Sequence, residues 1–324
     1  MNTPVDTLAQ WFGLVQQSLF EAATQPLMFN LGLAHLLEDG FAATGWLLVG
    51  LLQIGVMLTV FAALERWRPV EAVVDRAAVR VDIVYTLVHR LGLFRLALFF
   101  SVAPLWDTLV GQGRLHGLPT FSVDAVWPGV TDLAWVSFVI YLMLFDLLDY
   151  GLHRAQHGLK WWWQLHALHH SQRQMTMWSD SRNHLLDDVL RDSAFVLVGL
   201  ALGVPPAQFV ALVALKKLIE SLQHANVRLN FGPVFSRVLV SPQFHRVHHG
   251  VAVGHESHGA GSLGGCNFAV LFPLWDVLFR TARWDDVYPP TGVRDQAAGR
   301  DYGRGFWAQQ WLGFSRLLGG WGPR

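Results

Sequence analysis

Eight histidines fall into three short motifs between residues 153 and 249, and two of these motifs have the same HxxHH form. Residues three and four positions apart share one face of a helix, so each motif predicts a set of imidazoles on one side of a helical turn. They are His153 and His157 in HxxxH, His166, His169 and His170 in the first HxxHH, and His245, His248 and His249 in the second.

Imidazole sets of this kind suit iron, copper, zinc or nickel and disfavour calcium or magnesium. A structural zinc takes about four ligands, so eight or more histidines predict two ions. Two neighbouring redox metals indicate O2 activation, in which the protein supplies the ligands, positions the substrate and excludes side reactions. His184 in RNH and His224 in QHAN raise the number of candidate ligands to ten.

Two carboxylates precede the first motif on the same helical face. Asp146 and Asp149 lie seven and four residues before His153. Metal-bound imidazoles commonly donate their second N–H to a carboxylate, so we expect both aspartates, together with Asn226, to support the ligands without binding metal. The alternative is an ion pair with Arg154 or another arginine at the helix end.

The remaining histidines stand apart from the motifs. We interpret three of them as ordinary core or interface residues and two as members of a glycine-rich loop. The first set is His35, His89 and His116, and the second is His255 and His258.

The composition is that of a membrane protein. Hydrophobic residues make up 52% of the 324 residues and charged residues only 15%, against about a quarter in soluble domains. Lys plus Arg equals Asp plus Glu, at 24 each, so no charge bias indicates nucleic acid. The single Cys266 excludes an intramolecular disulfide and a cysteine-based zinc site. Arg66 is the first basic residue, so we expect no cleavable secretory signal.

Three stretches approach the roughly 20 apolar residues that span a bilayer. They are residues 41–64, 91–110 (with a start as early as 81) and 133–152. Before them, residues 8–37 are apolar but interrupted by Pro26, which favours an interfacial helix over a further span. The arginines of residues 66–80 place that loop inside the cell by the positive-inside rule, with the N-terminus outside and everything after residue 152 cytoplasmic.

A fourth apolar stretch, residues 193–215, has basic residues at both ends and Gly203-Val204-Pro205-Pro206 in its middle. Prolines there break a helix. We therefore predict two half-length helices that form a hairpin, dip into the bilayer and return. A simple fourth span is the alternative, and it would separate the histidines onto two sides of the membrane.

The chain as a whole is predicted to be all-α, with polytopic membrane helices. Residues 281–301 are polar and broken by Pro289-Pro290, so we expect a loop, and residues 302–318 are typical of an amphipathic helix on the membrane surface. We divide the chain into N-terminal interfacial and transmembrane helices (1–130), a catalytic region (131–284) and a C-terminal loop with its helix (285–324).

From about Asp146 to Ala282 the chain resembles the fatty acid hydroxylase (sterol desaturase-like) superfamily. The matching segments are DLLDYGLHRAQH, WWWQLHALHHS, RNH, QHANVRLNFG, SPQFHRVHHG and NF…LWDVLF. The sequence departs from the usual pattern at Gly265-Cys266-Asn267-Phe268-Ala269, where relatives commonly have Asp before the Asn and Gly after the Phe. It departs again at Arg280, where Gly is common.

The resemblance implies a helical membrane protein whose cytosolic cap carries a histidine-ligated di-iron centre. It implies the eight motif histidines as ligands and matches His184 and His224 to the family's intervening histidines. The implied reaction is hydroxylation or desaturation of a lipid C–H bond with O2. No cytochrome b5-like, ferredoxin-like or flavin domain is visible in the sequence, so we expect electrons from a separate partner of one of these types.

Two other functions are weighed against this one. A non-enzymatic membrane haem or metal-binding protein would use the histidines for binding alone, but bis-histidine haem ligation pairs single histidines on facing spans. A zinc hydrolase would need a motif such as HExxH, which the sequence lacks.

Overall fold

The computed structural model describes residues 4–119, 121–251 and 264–319. Regular structure in these ranges is helical, apart from one isolated antiparallel bridge between Gly250 and Thr291. The predicted all-α class is therefore confirmed. His255 and His258 lie outside the described residues.

The N-terminal segment is helical almost without a break. It comprises α1 (Pro4–Leu19), a π-helical turn (Phe20–Thr24) and α2 (Gln25–Asn30). Residues 8–37, interpreted as an interfacial helix, are helical through Pro26, because the π-helical turn just before the proline accommodates its missing N–H. This helix packs antiparallel to the next one, with a 2.8 Å hydrogen bond from Gln16 Nε2 to the carbonyl of Phe41.

In the part of the chain that the structure describes, two helices are long and apolar enough to cross a membrane, which is the mark of an integral membrane protein. The first runs from Ala34 to Trp67 and contains α3 (Leu37–Val56), a π-helical turn (Met57–Phe61) and α4 (Ala62–Trp67). The other is α8 (Ala134–Gly158). They include the predicted spans 41–64 and 133–152, and each extends beyond its apolar stretch into polar surroundings.

The predicted span at residues 91–110 is not one helix. Here α5 (Arg76–Arg90) and α6 (Leu93–Ser101) meet at an angle of 52°, and α7 (Ala103–Leu115) follows. Gly92 adopts a left-handed conformation, with φ of +80°, at the first break. Pro104 occupies the first turn of α7, where its missing N–H costs nothing. Both breaks lie inside the apolar stretch, so hydrophobicity alone did not reveal them.

The stretch that contains Pro205-Pro206 forms the predicted helical hairpin. Its arms are α10 (Leu185–Ala201) and α11 (Pro206–His224), each longer than the half-length helices expected, because both continue into polar turns beside the histidines. Phe195 and Leu212 pack with Phe145 of α8 in the largest buried apolar cluster. The tip of the hairpin lies near the start of α8, so both open ends lie beside the histidines.

The remaining helices form the cap around the histidines. They are α9 (Lys160–His170), α12 (Gly232–Phe235), α13 (Pro242–His248), α14 (Leu274–Leu278) and α15 (Phe306–Leu317). The C-terminal helix begins at Phe306, four residues later than predicted, after Gly305 with φ of +128°. The predicted loop at 281–301 contains one 3-10 turn, Arg294–Ala298.

The segment that follows the first span folds against the cap. The guanidinium of Arg246, inside the third histidine motif, lies 2.7 Å from the carboxylate of Glu71. The backbone N–H of Arg228 donates to the carbonyl of Arg68 at 2.7 Å. The arginine-rich loop and the histidine motifs therefore share one end of the molecule.

Candidate metal centre

Nine histidines on or at the end of four helices converge: eight form two adjoining groups of four, and His248 forms a further, overlapping group with His170 and His249. In each group, one ligand atom per histidine lies within 4.8 Å of the others. Group A contains His153, His157, His166 and His170, and the ring of His248 packs against its members. Group B contains His169, His224, His245 and His249.

The two HxxHH motifs each divide between the groups. His166 and His170, four residues apart, belong to group A, whereas His169 between them belongs to group B. In the third motif, His245 and His249 belong to group B, whereas His248 between them packs against group A. One helical turn thus directs imidazoles to two groups at once.

The distances in group B fit a metal ion. Nε2 of His224 lies 3.2 Å from Nε2 of both His169 and His245, and Nε2 of His249 lies 3.2 Å from Nε2 of His245. Two nitrogens that bind one tetrahedral ion at normal bond lengths are about 3.3 Å apart. The rings of His170 and His249 stack at 4.2 Å between centroids and join the two groups.

Three backbone carbonyls hold imidazoles in place through Nδ1. His153 donates to the carbonyl of Phe268 at 2.8 Å, and His248 donates to that of Cys266 at 2.7 Å. His224 donates to the carbonyl of Glu220 at 2.8 Å. A proton held on Nδ1 leaves the lone pair on Nε2, so these contacts select the tautomer that binds a metal through Nε2.

A carboxylate orients a fourth imidazole. Asp187 Oδ2 accepts from Nδ1 of His166 at 3.1 Å, while its other oxygen accepts from Gln156 and Trp162. Burial alone would raise the pKa of Asp187, but these hydrogen bonds hold it below its usual range, so the group is a carboxylate. The sequence analysis missed Asp187; its position three residues after His184, in the acidic first turn of α10, was the available signal.

The protonation state and burial of the histidines fit metal binding. All nine are at most 8% exposed. Burial lowers the pKa of His169, His245 and His249 well below the ordinary value, so they are neutral, as ligands must be. Nε2 of His166 is buried without a hydrogen-bond partner, although such atoms are normally satisfied. A metal ion in group A would satisfy it.

His184 lies apart from both groups, contrary to the expectation that it is a ligand. Its Nε2 donates to the carbonyl of Gln310 at 2.8 Å, and its Nδ1 accepts from the backbone N–H of Leu186 at the start of α10. Both ring nitrogens are therefore engaged with the backbone. His184 caps a helix and connects it to α15.

The three residues expected to support the ligands form other contacts. Asp146 accepts from the backbone N–H groups of Leu271 and Phe272 and from Trp275. Asp149 pairs with Arg191 and Lys216, which agrees with the ion-pair alternative, although with different partners. None of the hydrogen bonds found for these two carboxylates goes to an imidazole.

Asn226 also departs from its expected role. Its side chain accepts from the backbone of Val70 and Glu71 and donates to the carbonyl of Glu71. It therefore fastens the loop after the first span to the end of α11, two residues beyond His224. Its effect on the ligands is indirect.

The segment around Asn267 aims two of the orienting carbonyls. Asn267 has φ of +58°, a conformation that few residues other than Gly and Asn adopt. Its side chain bonds to the backbone of Phe244 and Arg283. The residues on either side of it supply the carbonyls that hold His248 and His153. Asp276 holds the same segment by accepting from Phe268 and Ala269.

A chamber of about 50 Å³ adjoins both groups. Its walls include His153 and His166 of group A, and His169, His224 and His245 of group B. Its polar walls also include Arg191 and Glu220, and Val270 is the apolar contribution. A small molecule in this chamber would lie within reach of ions bound at both groups.

Two adjoining groups of buried imidazoles in a helical membrane protein form a candidate metal centre. The model of the fatty acid hydroxylase family matches residues 138–281. The resemblance seen in the sequence is thereby confirmed.

Curated relatives are lipid-modifying enzymes by name. The chain is 26% identical to ornithine lipid hydroxylase OlsE of Rhizobium tropici over 200 residues, which cover 62% of this chain and 56% of that protein. It is 28% identical to the alkylglycerol monooxygenase of Caenorhabditis elegans, over 60% of this chain and 38% of that protein. It is 27% identical to the human alkylglycerol monooxygenase, over 54% of this chain and 40% of that protein.

The matched region therefore spans about half the length of the first relative and less of the others. No solved structure matches the chain.

Proposed function

We propose that this protein is a membrane-bound oxygenase that uses a di-iron centre, O2 and electrons from a separate donor to hydroxylate or desaturate a lipid C–H bond. The observation that carries the proposal is the convergence of nine buried histidines, eight of which form two adjoining groups of four. Relatives named as a lipid hydroxylase and as lipid monooxygenases support it.

Two iron ions fit the ligand sets better than one. Group A would hold one ion and group B the other, with the catalytic ligands His153, His157, His166, His169, His170, His224, His245, His248 and His249. Bound iron would supply the O2 activation that side chains cannot provide. His184 is excluded from the proposed ligands because both of its ring nitrogens contact the backbone.

The chain's own residues would orient the ligands and seal the site. Asp187 and the carbonyls of Cys266, Phe268 and Glu220 hold four imidazoles in the tautomer that a metal requires. The chamber of about 50 Å³ adjoins both groups, and its small size limits the water beside the ligands. Restricting water limits side reactions of the activated oxygen.

The substrate is proposed to be a polar lipid. The relatives' names specify an ornithine lipid and alkylglycerols, which share a polar part joined to hydrocarbon chains. The site does not separate hydroxylation from desaturation, since both begin with removal of one hydrogen from carbon. Mass spectrometry separates the products, because hydroxylation adds one oxygen and desaturation removes two hydrogens.

The site is proposed to face the cytoplasm. The arginine-rich loop after the first span folds against the cap that holds the histidines, and such loops are retained on the cytoplasmic side. An electron donor of the cytochrome b5, ferredoxin or flavin-reductase type would reach the centre from that side.

Lipidomics and metal analysis test the proposal together. Cells that express the wild type should contain an oxidised lipid that is absent from cells expressing His169→Ala, and purified wild type should hold two irons per chain. Identical lipid profiles would contradict the enzymatic function, and a Soret band would indicate haem instead. The haem or metal-binding alternative gains no support from the relatives, which are named as enzymes.

A further inference from the structure

An apolar cleft lies between α6–α7 and the α10–α11 hairpin. Its volume is about 210 Å³, larger than the roughly 150 Å³ that accommodates a benzene molecule. Its apolar walls come from both sides, with Leu98 and Trp106 on one and Phe195, Val196, Phe209 and Val213 on the other. Both arms of the hairpin pack against the spanning helix α8, so the cleft lies at the depth of the hydrocarbon.

One end of the cleft is charged. Four cationic and two anionic side chains line it: Arg95, Arg191, Lys216, Lys217, Asp192 and Glu220. Arg191 bonds to both Asp149 and Glu220, at 3.0 Å each, and Lys217 bonds to Glu220 at 2.7 Å. Asp149 and Asp180 balance the extra cations from outside the cleft. The side chains of Lys217 and Arg191 remain 30% and 20% exposed, so both can donate to a ligand group rich in acceptor oxygens.

The charged end is also the boundary with the metal chamber. Arg191 and Glu220 line both the apolar cleft and the chamber that contains walls from both histidine groups. Apart from Val270, the chamber is lined by polar or charged residues. A hydrocarbon chain that crossed this boundary would have to displace two ion pairs and leave apolar surroundings for polar ones, which is unfavourable.

We propose that this cleft binds one hydrocarbon chain of the lipid substrate, and that Arg191 and Lys217 bind its oxygen-rich polar group at the inner end. The lipid then reaches the centre laterally, between α6–α7 and the hairpin. The carbon that is oxidised lies close to the polar group and not at the far end of the chain. This inference rests on the proposed function for the reaction, but lipid binding can be tested without it.

Photolabelling of the iron-loaded protein in detergent tests the cleft. The probe is a long-chain fatty acid with a diazirine midway along its chain. Crosslinks are expected on α6, α7, α10 and α11. Val213→Trp and Val196→Trp fill the cleft from opposite arms of the hairpin and should each reduce labelling at least tenfold. Leu215→Trp is the matched control on α11, since Leu215 is 39% exposed and lies outside the cleft, and it should label like the wild type.

A second pair of probes tests the charged end of the cleft. Lys217→Met should weaken labelling by the free acid about tenfold and leave labelling by the methyl ester of the same probe within about twofold. Equal effects on the two probes would overturn the proposed binding of the polar group. Crosslinks on helices other than these four, or full labelling of both tryptophan variants, would overturn the proposal that the cleft binds the hydrocarbon chain.

The position of the product's new oxygen tests the orientation. Fragmentation of the product by tandem mass spectrometry should place it within a few carbons of the polar group, and oxidation near the chain end would overturn the inference. A wild type that is labelled in the cleft but oxidises no lipid would count against the proposed function alone.

Discussion

Asp187 and His166 form the only carboxylate–imidazole contact at the metal centre within the described residues, with 3.1 Å between Oδ2 and Nδ1. Asp187 is on the hairpin and His166 is on the cap, so the contact joins the membrane-associated helices to the proposed catalytic ligands. The orientation of His166 in group A therefore depends on how the hairpin packs against the cap.

Replacing Asp187 by Asn should weaken iron binding. The amide is neutral and can present its NH2 to the ring nitrogen, so the tautomer of His166 is no longer fixed. Loss of such a partner typically costs 10–100-fold in metal affinity or activity. Iron retention during dialysis against a chelator measures the effect. Asp107→Asn, a matched change at an exposed position of α7, should retain iron like the wild type; equal retention by both variants would contradict the role of Asp187.

The two groups should lose iron separately. His166→Ala alters group A and His245→Ala alters group B, so each variant should hold about one iron where the wild type holds two. Metal analysis by mass spectrometry, normalised to protein, gives the count. His35→Ala, at an exposed position remote from the motifs, is the control and should hold two. Loss of both ions from each single variant would contradict separate sites.

His184→Asn should keep full iron, in contrast to His169→Asn. Asn also caps helices well, so the variant should lose only the hydrogen bond to Gln310, about 1 kcal/mol of stability. Iron loss from His184→Asn as large as that from His169→Asn would restore His184 as a ligand.

The stability of the same variant should depend on pH in a defined direction. Burial lowers the pKa of His184 below its ordinary value. As pH falls below about 6.5, the unfolded chain gains a proton that folded His184 resists, so the wild type loses stability relative to His184→Asn. Thermal unfolding in detergent between pH 8 and pH 5 measures the stability of both proteins. The advantage of the wild type over His184→Asn should become smaller as the pH falls. A difference that widens would contradict the lowered pKa.

Asn267→Ala should destabilise the protein by about 2–4 kcal/mol, because it removes three hydrogen bonds. It also leaves the positive φ to an alanine, which tolerates this conformation less well than asparagine. It should also release iron, since the carbonyls of Cys266 and Phe268 lose their direction. Asn267→Gly separates the two effects: it loses the same bonds without backbone strain, so it should be less damaging. Equal unfolding temperatures for the two variants would show that strain contributes nothing.

A close helix crossing makes Gly50 irreplaceable. A Cβ at this position would lie 1.7 Å from the carbonyl oxygen of Arg90, so Gly50→Ala must separate α3 from α5 and should cost about 3 kcal/mol or more. Gly55→Ala, five residues along the same span with open space around it, should change stability by less than about 1 kcal/mol. Thermal unfolding in detergent measures the stability of the two variants. Similar losses of stability would contradict the close contact between α3 and α5.

Much of the site was predictable from the sequence, because its information is local. The spacing of each histidine motif places its imidazoles on one helical turn, and the prolines at 205 and 206 break an apolar stretch wherever it lies. The eight motif histidines and His224 therefore converge as expected, and two of the three spans are long apolar helices. The predicted third span is a bent pair of helices, α5 and α6, that together are long and apolar enough to cross a membrane. Its apolar residues continue through the breaks at Gly92 and Pro104, so the sequence did not show the bends.

The roles of individual polar residues depended on long-range packing. Asp146 and Asp149 share a helical face with His153, yet their partners are a loop 125 residues later and two cations of the hairpin. His184 has the residue type of a ligand, but its ring instead caps α10 through Nδ1 and contacts α15 through Nε2. The sequence by itself determined which residues can bind metal, since chemistry and helical spacing are local. Only the tertiary structure decided which histidines share an ion and which groups orient them, because those contacts join segments far apart in the chain.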